Sequence, residues 1–600
     1  MTPRARFDDL RPRSRRSFTL DGFRTALVAT ETSDVVRVLA DAERQVAAGR
    51  WVAGFVTYEA SPAFDPAFVV RSPIGSPVEN LPLAWFGVFD RRIPSDDSGH
   101  HTAVLGRWVP AIDEDAHAAG IDRIHRAIVA GDTYQVNHTF RMTSEFDGEP
   151  EALYLDLIAG QSCGYGAFID TGDWTIVSAS PELFFEWRHG KLISRPMKGT
   201  APRGVDLDAD EAQRAGLVHS EKQRAENLMI VDMVRNDMGR IARLGTVQVP
   251  ALFTTEKYDT VWQMTSTVVS EPRPETTLPT VFGALFPCAS ITGAPKIATM
   301  GLIAELETTP RGAYCGAIGY GGPRAGGAEW AFNVGIRTVT IDRATGTAFY
   351  GTGGGVTYDS TAAGEYREAL LKTRILDRRA TSFSLLETMR WSPEDGYRNL
   401  TAHLGRLTRS AWYFDVPVDP AEVRSALDNA VRHADGPLRV RLLVGRSGRI
   451  STEIATAPHQ STRVELAIDD IGLDPGDPML RHKTTERSVY DAAAARHPHA
   501  DDVILVTMDG LVADTSIATL CAELDGTWVT PPVADGALPG IARQSLIDHG
   551  RLEERSIPVE ALFRATRLAR VNSLRGWEEA VLVGSVEPTH PVGQPRRRLR

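Results

Sequence analysis

Short apolar runs broken by Gly and Pro dominate residues 18 to about 90, as in WVAGFVTYEA, and predict β-strands. In HAAGIDRIHRAIVAGDTYQVNHTFRMTSEF the pattern predicts a helix, a Gly-Asp turn and then a strand. GYGAFIDTGDWTIVSASPELFFEWRHGKLISRPMKG predicts several antiparallel strands, ending at Lys198 in a tight Gly-Thr turn. The clearest helix is SEKQRAENLMIVDMVRNDMGRIA, where Ser220 and Gln223 have capping-box spacing and the apolar period reaches Ile241. GEYREALLKTRIL predicts another helix. LDRRATSFS has few packing residues and predicts a linker centred near residue 379. FSLLETMRW then opens a fresh alternation of strands and helices. GGPRAGGAE, residues 321–329, predicts an exposed hairpin loop.

Length divides the pattern. A chain of 600 residues is too long for one hydrophobic core. The expected organisation is a first domain over residues 1–376, a linker over 377–382, a second domain over 383–590 and a basic tail over 591–600. Lys plus Arg number 66 and Asp plus Glu 77, a net charge of −11 that argues against nucleic acid or anionic membrane as partners. The basic ends, RPRSRR and RRRLR, read as frayed tails. Cys163, Cys288, Cys315 and Cys521 are scattered without a CxxC, as expected of reduced thiols in a cytoplasmic protein. No secretory h-region and no run of about 18 apolar residues is visible, so no membrane span is expected.

Chemistry enters through charged residues in apolar or glycine-rich settings. Glu226 shares a helical stripe with Met229, Ile230 and Met233, where a carboxylate is costly unless paired or metal-bound. Glu365, Glu368 and Lys372 project from one face of a second helix. YGTGGGVTYDS precedes that helix, and its glycines let backbone approach an anionic ligand closely. Carboxylates beside such a ribbon suit Mg²⁺ bridging protein and substrate carboxylate. Taken alone, Lys198 reads as a solvated turn lysine and Glu226 as the edge of a stripe.

Seven ordered motifs alter that reading: SASPELFFE, RPMKGTAPRG, AENLMIVDMVRNDMGR, SITGAPKIATM, RGAYCGAIGY, FNVGIRT and GTGGGVTYDSTAAGEYREALLK. Over roughly residues 20 to 376 the chain resembles the chorismate-utilising enzymes. Among these, Lys in the P-x-K-G-T context marks the aminodeoxychorismate synthases, whereas anthranilate and isochorismate synthases carry Ala or another residue. The resemblance implies that Lys198 is a nucleophile toward chorismate and Glu182 the general acid/base. It implies Mg²⁺ ligands at Glu226, Glu365 and Glu368. Substrate carboxylates would be held by Tyr314, Arg337 and Lys372, with backbone at Gly351 and Gly353. Gln223 replaces a frequent acidic residue, and Gln263 stands where several relatives have a titrating His. No glutaminase arrangement is visible, so ammonia is expected from a separate glutamine amidotransferase or from solution.

Residues 382 to 584 resemble class IV pyridoxal-phosphate enzymes, and in order and spacing the 4-amino-4-deoxychorismate lyases. The carrying motifs are HLGRLTRSAWYF, RHKTTERSVYDAAAA, ADDVILVTMDGLVADTSIATL, LPGIARQ and RVNSLRGW. Lys483, at the end of a strand-like stretch, matches the Schiff-base lysine. Arg406, in a pattern with His403 and Leu407, matches the phosphate ligand, with backbone at Ile541 and Ala542 completing the cup. Asp514 stands where relatives have the Glu that pairs the pyridine nitrogen, Thr515 follows it in the cofactor set, and Thr519 replaces a frequent Asn. The implied fold class is α+β: a chorismate-utilising-enzyme fold of antiparallel sheets flanked by helices, then a fold type IV two-subdomain α/β unit. A homodimer through the second domain is compatible with that class. The implied function is two-step formation of 4-aminobenzoate for folate. The alternatives are an anthranilate-type synthase and a second domain that is a degenerate docking module for the amidotransferase.

Overall fold

A computed structural model of the chain describes residues 2–11, 15–95, 103–160, 163–324, 327–376 and 383–583. It divides into two compact units, Met1–Arg203 with Gln213–Ala380, and Gly204–Ala212 with Thr381–Arg600. The expected linker (377–382) and basic C-terminal tail (591–600) lie outside the described residues.

In the first unit one antiparallel path of strands folds over on itself. It runs from Gln248–Lys257 through Val261–Ser270, Lys191–Arg195, Leu183–Arg188, Gly327–Val334, Ala317–Arg324, Trp51–Val56 and Ala84–Pro94. It continues through Arg16–Ala29, Arg4–Asp9, Tyr165–Asp170, Trp174–Ser180, Thr338–Asp342 and Thr347–Val356 to Gln135–Gly148. Strand alternation then builds layers. Ala53, Phe55 and Ile318 from one half of the path share a core with Phe7, Ile169 and Ile176 from the other. Their neighbours point the opposite way. Val52 and Val56 pack with Leu39, Ile230 and Phe282 of the helices Thr32–Ala47, Glu221–Gly239 and Leu278–Leu285. Phe168, Val177 and Ile341 pack with Leu157 and Ala369 of the helices Pro150–Ala159 and Ala362–Thr373. Two sheet halves lie between two helical layers, the predicted α+β arrangement.

Several local expectations change. The β-rich opening contains the helix Thr32–Ala47, whose Val35, Val38, Leu39, Ala42 and Val46 are buried at helical spacing. Of the RPRSRR segment, residues 12–14 lie outside the described residues, while Arg11 pairs with Asp9 and Arg16 opens a strand; ahead of it Arg4–Asp9 pairs with strands on both sides and Arg6 pairs with Asp8. Gly321 and Gly322 are buried strand residues because the rings of Trp330 and Trp51 lie where their side chains would be, so the strands Ala317–Arg324 and Gly327–Val334 take up most of the expected loop, whose residues 325–326 lie outside the described residues.

The second unit pairs a small antiparallel sheet, Ser384–Ser392, Gly396–Tyr397, Leu438–Gly445 and Ile450–Thr456, with the helices Leu400–Tyr413 and Pro420–Val431. A larger mixed sheet sets Val464–Ile468 parallel to Asp502–Val506 and Gly576–Leu582, and antiparallel pairs extend it. No described helix is long and apolar enough to cross a membrane.

Candidate functional sites

The strand carrying Lys198 does not end in the predicted turn. After a break at Pro196 it continues as Met197–Pro202, paired with Val261–Ser270. The register shifts between Met197 and Thr200, and Gly199 at φ 105 forms the bulge. Side-chain amides bind the carbonyls there: Asn227 Nδ2 donates to Lys198 O at 2.9 Å and Gln263 Nε2 to Gly199 O at 2.9 Å. Asn227 comes from the helix Glu221–Gly239, capped by Ser220 accepting from Gln223 N–H as its sequence predicts. Its buried face follows Asn227, Ile230, Val231 and Val234, which leaves Glu226, Met229 and Met233 half-buried at its edge.

That edge faces Lys198, whose Nζ lies 3.5 Å from Glu226 Oε2. The glycine ribbon forms the other wall. A Cβ on Gly355 would sit 2.7 Å from Lys198 Nζ, and one on Gly354 would sit 2.8 Å from Glu365 Oε2. Lys372 Nζ donates to Gly353 O at 2.8 Å and pairs with Glu368 at 2.9 Å. The Tyr314 ring occupies the space a side chain on Gly351 would take. Arg337, in the left-handed region at φ 50, lies 5.8 Å from the Tyr258 ring. Lys198, Glu182, Glu226, Glu365, Glu368 and Lys372 thus form one electrostatic cluster.

The carboxyls differ in environment. Burial pushes Glu182 up to about 7, against the Ser290 hydroxyl donating to it at 2.8 Å and the charge of Lys198. Burial also raises Glu365, helped by the neighbouring Glu368 carboxylate. Burial alone would raise Glu368, but Lys372 and Lys198 outweigh it and hold it below its ordinary value.

Hard carboxylate oxygens and like-charge crowding at Glu365 and Glu368 suit Mg²⁺, which uses few protein oxygens and keeps its waters. The three expected ligands are not drawn into one cage. Among the described residues only Asp469, Asp470 and His497 bring three ligand atoms within 4.8 Å of one another, and Asp469 there is already paired with Arg496. Sequence reasoning missed Gln135. It is 1% exposed, its amide has no partner among the described residues, and its nitrogen lies 2.9 Å from a Cβ built on Gly355. A buried polar position on a strand opposite the glycine ribbon was the available signal.

The second site surrounds Lys483 in a cavity of about 320 Å³. Lys483 is not at a strand end. It lies in an irregular stretch pinned by Leu386 N–H donating to Lys483 O at 2.9 Å. Burial and the charge of Arg406 lower its amine to about 8. Arg406 is oriented by Glu387, donating at 2.9 and 2.7 Å, while His403 Nδ1 lies 2.6 Å from the same carboxylate. Burial alone would raise Glu387, but Arg406 and His403 bring it down to about 2. Sequence reasoning passed over Glu387, whose only signal was a lone carboxylate in the apolar run FSLLETMRW.

Arg406 NH1 donates to Pro539 O at 3.1 Å, beside the helix Ile541–Asp548, and Ile541 and Ala542 line the same cavity. Burial pushes Asp514 up to about 7 despite N–H groups of Leu538 and Thr515 donating to it. The Thr515 hydroxyl is taken by Asp502 at 2.8 Å and Ala518 O at 2.6 Å, so its side chain braces the wall. A buried carboxyl that has no cationic side-chain hydrogen bond among the described residues, a lowered lysine and an arginine beside helix N–H groups fit pyridoxal phosphate.

Residues 13–378 match the family model for chorismate binding enzyme and residues 384–580 that for amino-transferase class IV. The chain is 37% identical over 274 residues to aminodeoxychorismate synthase component 1 of Bacillus subtilis, covering 46% of this chain and 57% of that protein. It is 34% identical over 297 residues to anthranilate synthase component 1 of Cereibacter sphaeroides, covering 49% of this chain and 58% of that protein. The chain therefore spans little more than half the length of these relatives. A crystal structure described as a 2,3-dihydroxybenzoate-specific isochorismate synthase from Bacillus anthracis superposes with TM-score 0.50 at 19% identity, over 62% of this chain and 95% of that one, and shares the fold. The ordered motifs, the layered antiparallel fold and the match over residues 13–378 agree: the chain belongs to the chorismate binding enzyme family, with a class IV aminotransferase domain following.

Proposed function

We propose that the chain makes 4-aminobenzoate from chorismate and ammonia in two steps. The observation that carries the first step is Lys198 placed against the glycine ribbon, among Glu182, Glu226, Glu365 and Glu368. Lys198 Nζ forms a bond to C2 of chorismate as the C4 hydroxyl leaves, taking a proton from Glu182 and departing as water. Ammonia then bonds to C4, Lys198 is expelled, and 4-amino-4-deoxychorismate results. Tyr314, Arg337 and Lys372, with backbone at Gly351 and Gly353, hold the substrate carboxylates. The Gln135 amide, without another partner among the described residues, accepts from the incoming amine. Glu226, Glu365 and Glu368 would hold Mg²⁺, which supplies positive charge to a substrate carboxylate. Ammonia comes from glutamine through a separate amidotransferase subunit; the "component 1" in the name of the Bacillus subtilis relative supports this reading.

In the second step pyridoxal phosphate, when bound, supplies an electron sink at the substrate amine. Arg406 and the backbone at Ile541 and Ala542 would hold its phosphate, and Asp514 would pair with its ring nitrogen. Lys483 takes a proton from the ring carbon bearing the amine. Elimination releases pyruvate and leaves 4-aminobenzoate, so atoms balance without an oxidant. Protein given chorismate, Mg²⁺, ammonium and pyridoxal phosphate should yield 4-aminobenzoate and pyruvate by chromatography. Anthranilate as the product overturns the first step, and accumulated aminodeoxychorismate overturns the second.

A further inference from the structure

Behind the wall of the second cavity lies a buried ion triad that the proposed steps leave unused. Asp502 opens the strand Asp502–Val506, and Arg570 and Glu578 face each other on the paired strands Arg567–Asn572 and Gly576–Leu582. All three are at most 4% exposed, and none lines the cavity. Arg570 donates through NH1 to Asp502 Oδ2 at 2.9 Å and through Nε to Glu578 at 2.9 Å. One guanidinium between two carboxylates leaves a surplus negative charge, which Asp502 meets with further donors. Its Oδ1 accepts from Ser516 N–H at 3.0 Å, the Ser516 hydroxyl at 2.5 Å and Val503 N–H at 2.8 Å, and its Oδ2 from the Thr515 hydroxyl at 2.8 Å. Thr515 and Ser516 do line the cavity, and they directly follow Asp514. Thr515 N–H in turn donates to Asp514 Oδ1 at 3.0 Å. A buried carboxylate is costly unless donors surround it, so Asp502 tolerates few conformations of the turn that supplies three of them. Apolar side chains in place of a buried ion pair are often neutral for stability. They do not, however, dictate where the hydroxyl and N–H groups of a neighbouring turn point.

We infer that Asp502 is a positioning residue of the second site: held by Arg570 and Glu578, it fixes the turn Thr515–Ser516 and thereby aims the Asp514 carboxyl into the cavity. The inference rests on the reading of Asp514 as the partner of the cofactor's ring nitrogen. A carboxylate held against that nitrogen favours its protonated form, and this positive charge disfavours a second one on the nitrogen that Lys483 supplies to the cofactor. An Asp514 set loose therefore raises the pH at which the cofactor's visible band changes. Removing a nearby negative charge by itself lowers that pH, because a cation loses support. The sign of the shift thus separates positioning from charge.

The test uses full-length protein loaded with pyridoxal phosphate, whose visible band is titrated with pH. Asp502→Asn keeps the side-chain shape and removes the charge. It should raise the band's midpoint and weaken cofactor binding about tenfold, the scale of one lost charged hydrogen bond. Ser516→Ala removes one donor without changing charge and should shift the midpoint in the same direction; it replaces the Asn variant if that fails to fold. Glu578→Gln breaks the same triad without touching the donors of the turn. It should lower the melting temperature, leave the midpoint no higher than in wild type and keep cofactor affinity near wild type. A midpoint that stays or falls in Asp502→Asn, or in Ser516→Ala where that takes its place, overturns the inference. So does a Glu578→Gln midpoint raised as far as that of Asp502→Asn. Wild-type protein that acquires no cofactor band overturns the cofactor reading, and this inference with it.

Discussion

Single residues set the chemistry of the first site through their surroundings. Lys198 can be displaced without unfolding the strand that carries it. In Gly355→Ala the new methyl meets the mobile ends of Lys198 and Gln135 rather than backbone. The expected outcome is a native circular-dichroism spectrum with at least about tenfold slower aminodeoxychorismate formation, since a misplacement near 1 Å costs on the order of a hundredfold. Lys198→Ala should form none, measured by chromatography of a chorismate and ammonium reaction. In the proposed first step Glu182 acts protonated, and burial raises it to about 7, so kcat/KM for chorismate should fall as pH rises through that value. Ser290 favours the charged form by donating to it, so Ser290→Ala should move the falling limb to higher pH.

At the scale of elements, the bulge at Gly199 is held by side chains that stand in for the strand ladder. Asn227→Asp keeps the acceptor for the Ser266 hydroxyl, which donates at 2.6 Å, and removes the donor to Lys198 O. It should lower stability by about 1–3 kcal/mol, the cost of a buried carbonyl left without its donor. Denaturant titration checks that figure. If the amide also aims Lys198, kcat should fall more than KM rises. The helix carrying Asn227 was legible from its cap and period, yet its buried face was misjudged by one position. Asn227 and Asp237 lie on the buried face while Met229 and Met233 sit at its edge, so hydrophobicity pointed slightly aside.

For the whole molecule, the residues assigned to the two proposed steps come from separate units. A chelator should stop chorismate consumption and leave the cofactor band intact. Removing pyridoxal phosphate should instead leave chorismate consumption and let aminodeoxychorismate accumulate. Product analysis after each treatment checks both, and loss of both steps under either treatment contradicts two independent sites.

Local patterns along the chain were enough for the family, the two-part organisation and the identity of most residues now grouped at the two sites. Motifs keep their order along a chain, and a glycine ribbon or a helix with carboxylates on one face is written in local spacing. Tertiary structure decided what local spacing cannot carry. It converted the expected Gly-Thr turn into a bulge, because the strand Val261–Ser270 continues to pair beyond Lys198. It buried Gly321 and Gly322 under two tryptophans and placed a helix within the β-rich opening. It brought Gln135, Ser290 and Glu387 to their sites, because burial and the presence or absence of a partner depend on segments far apart in the chain.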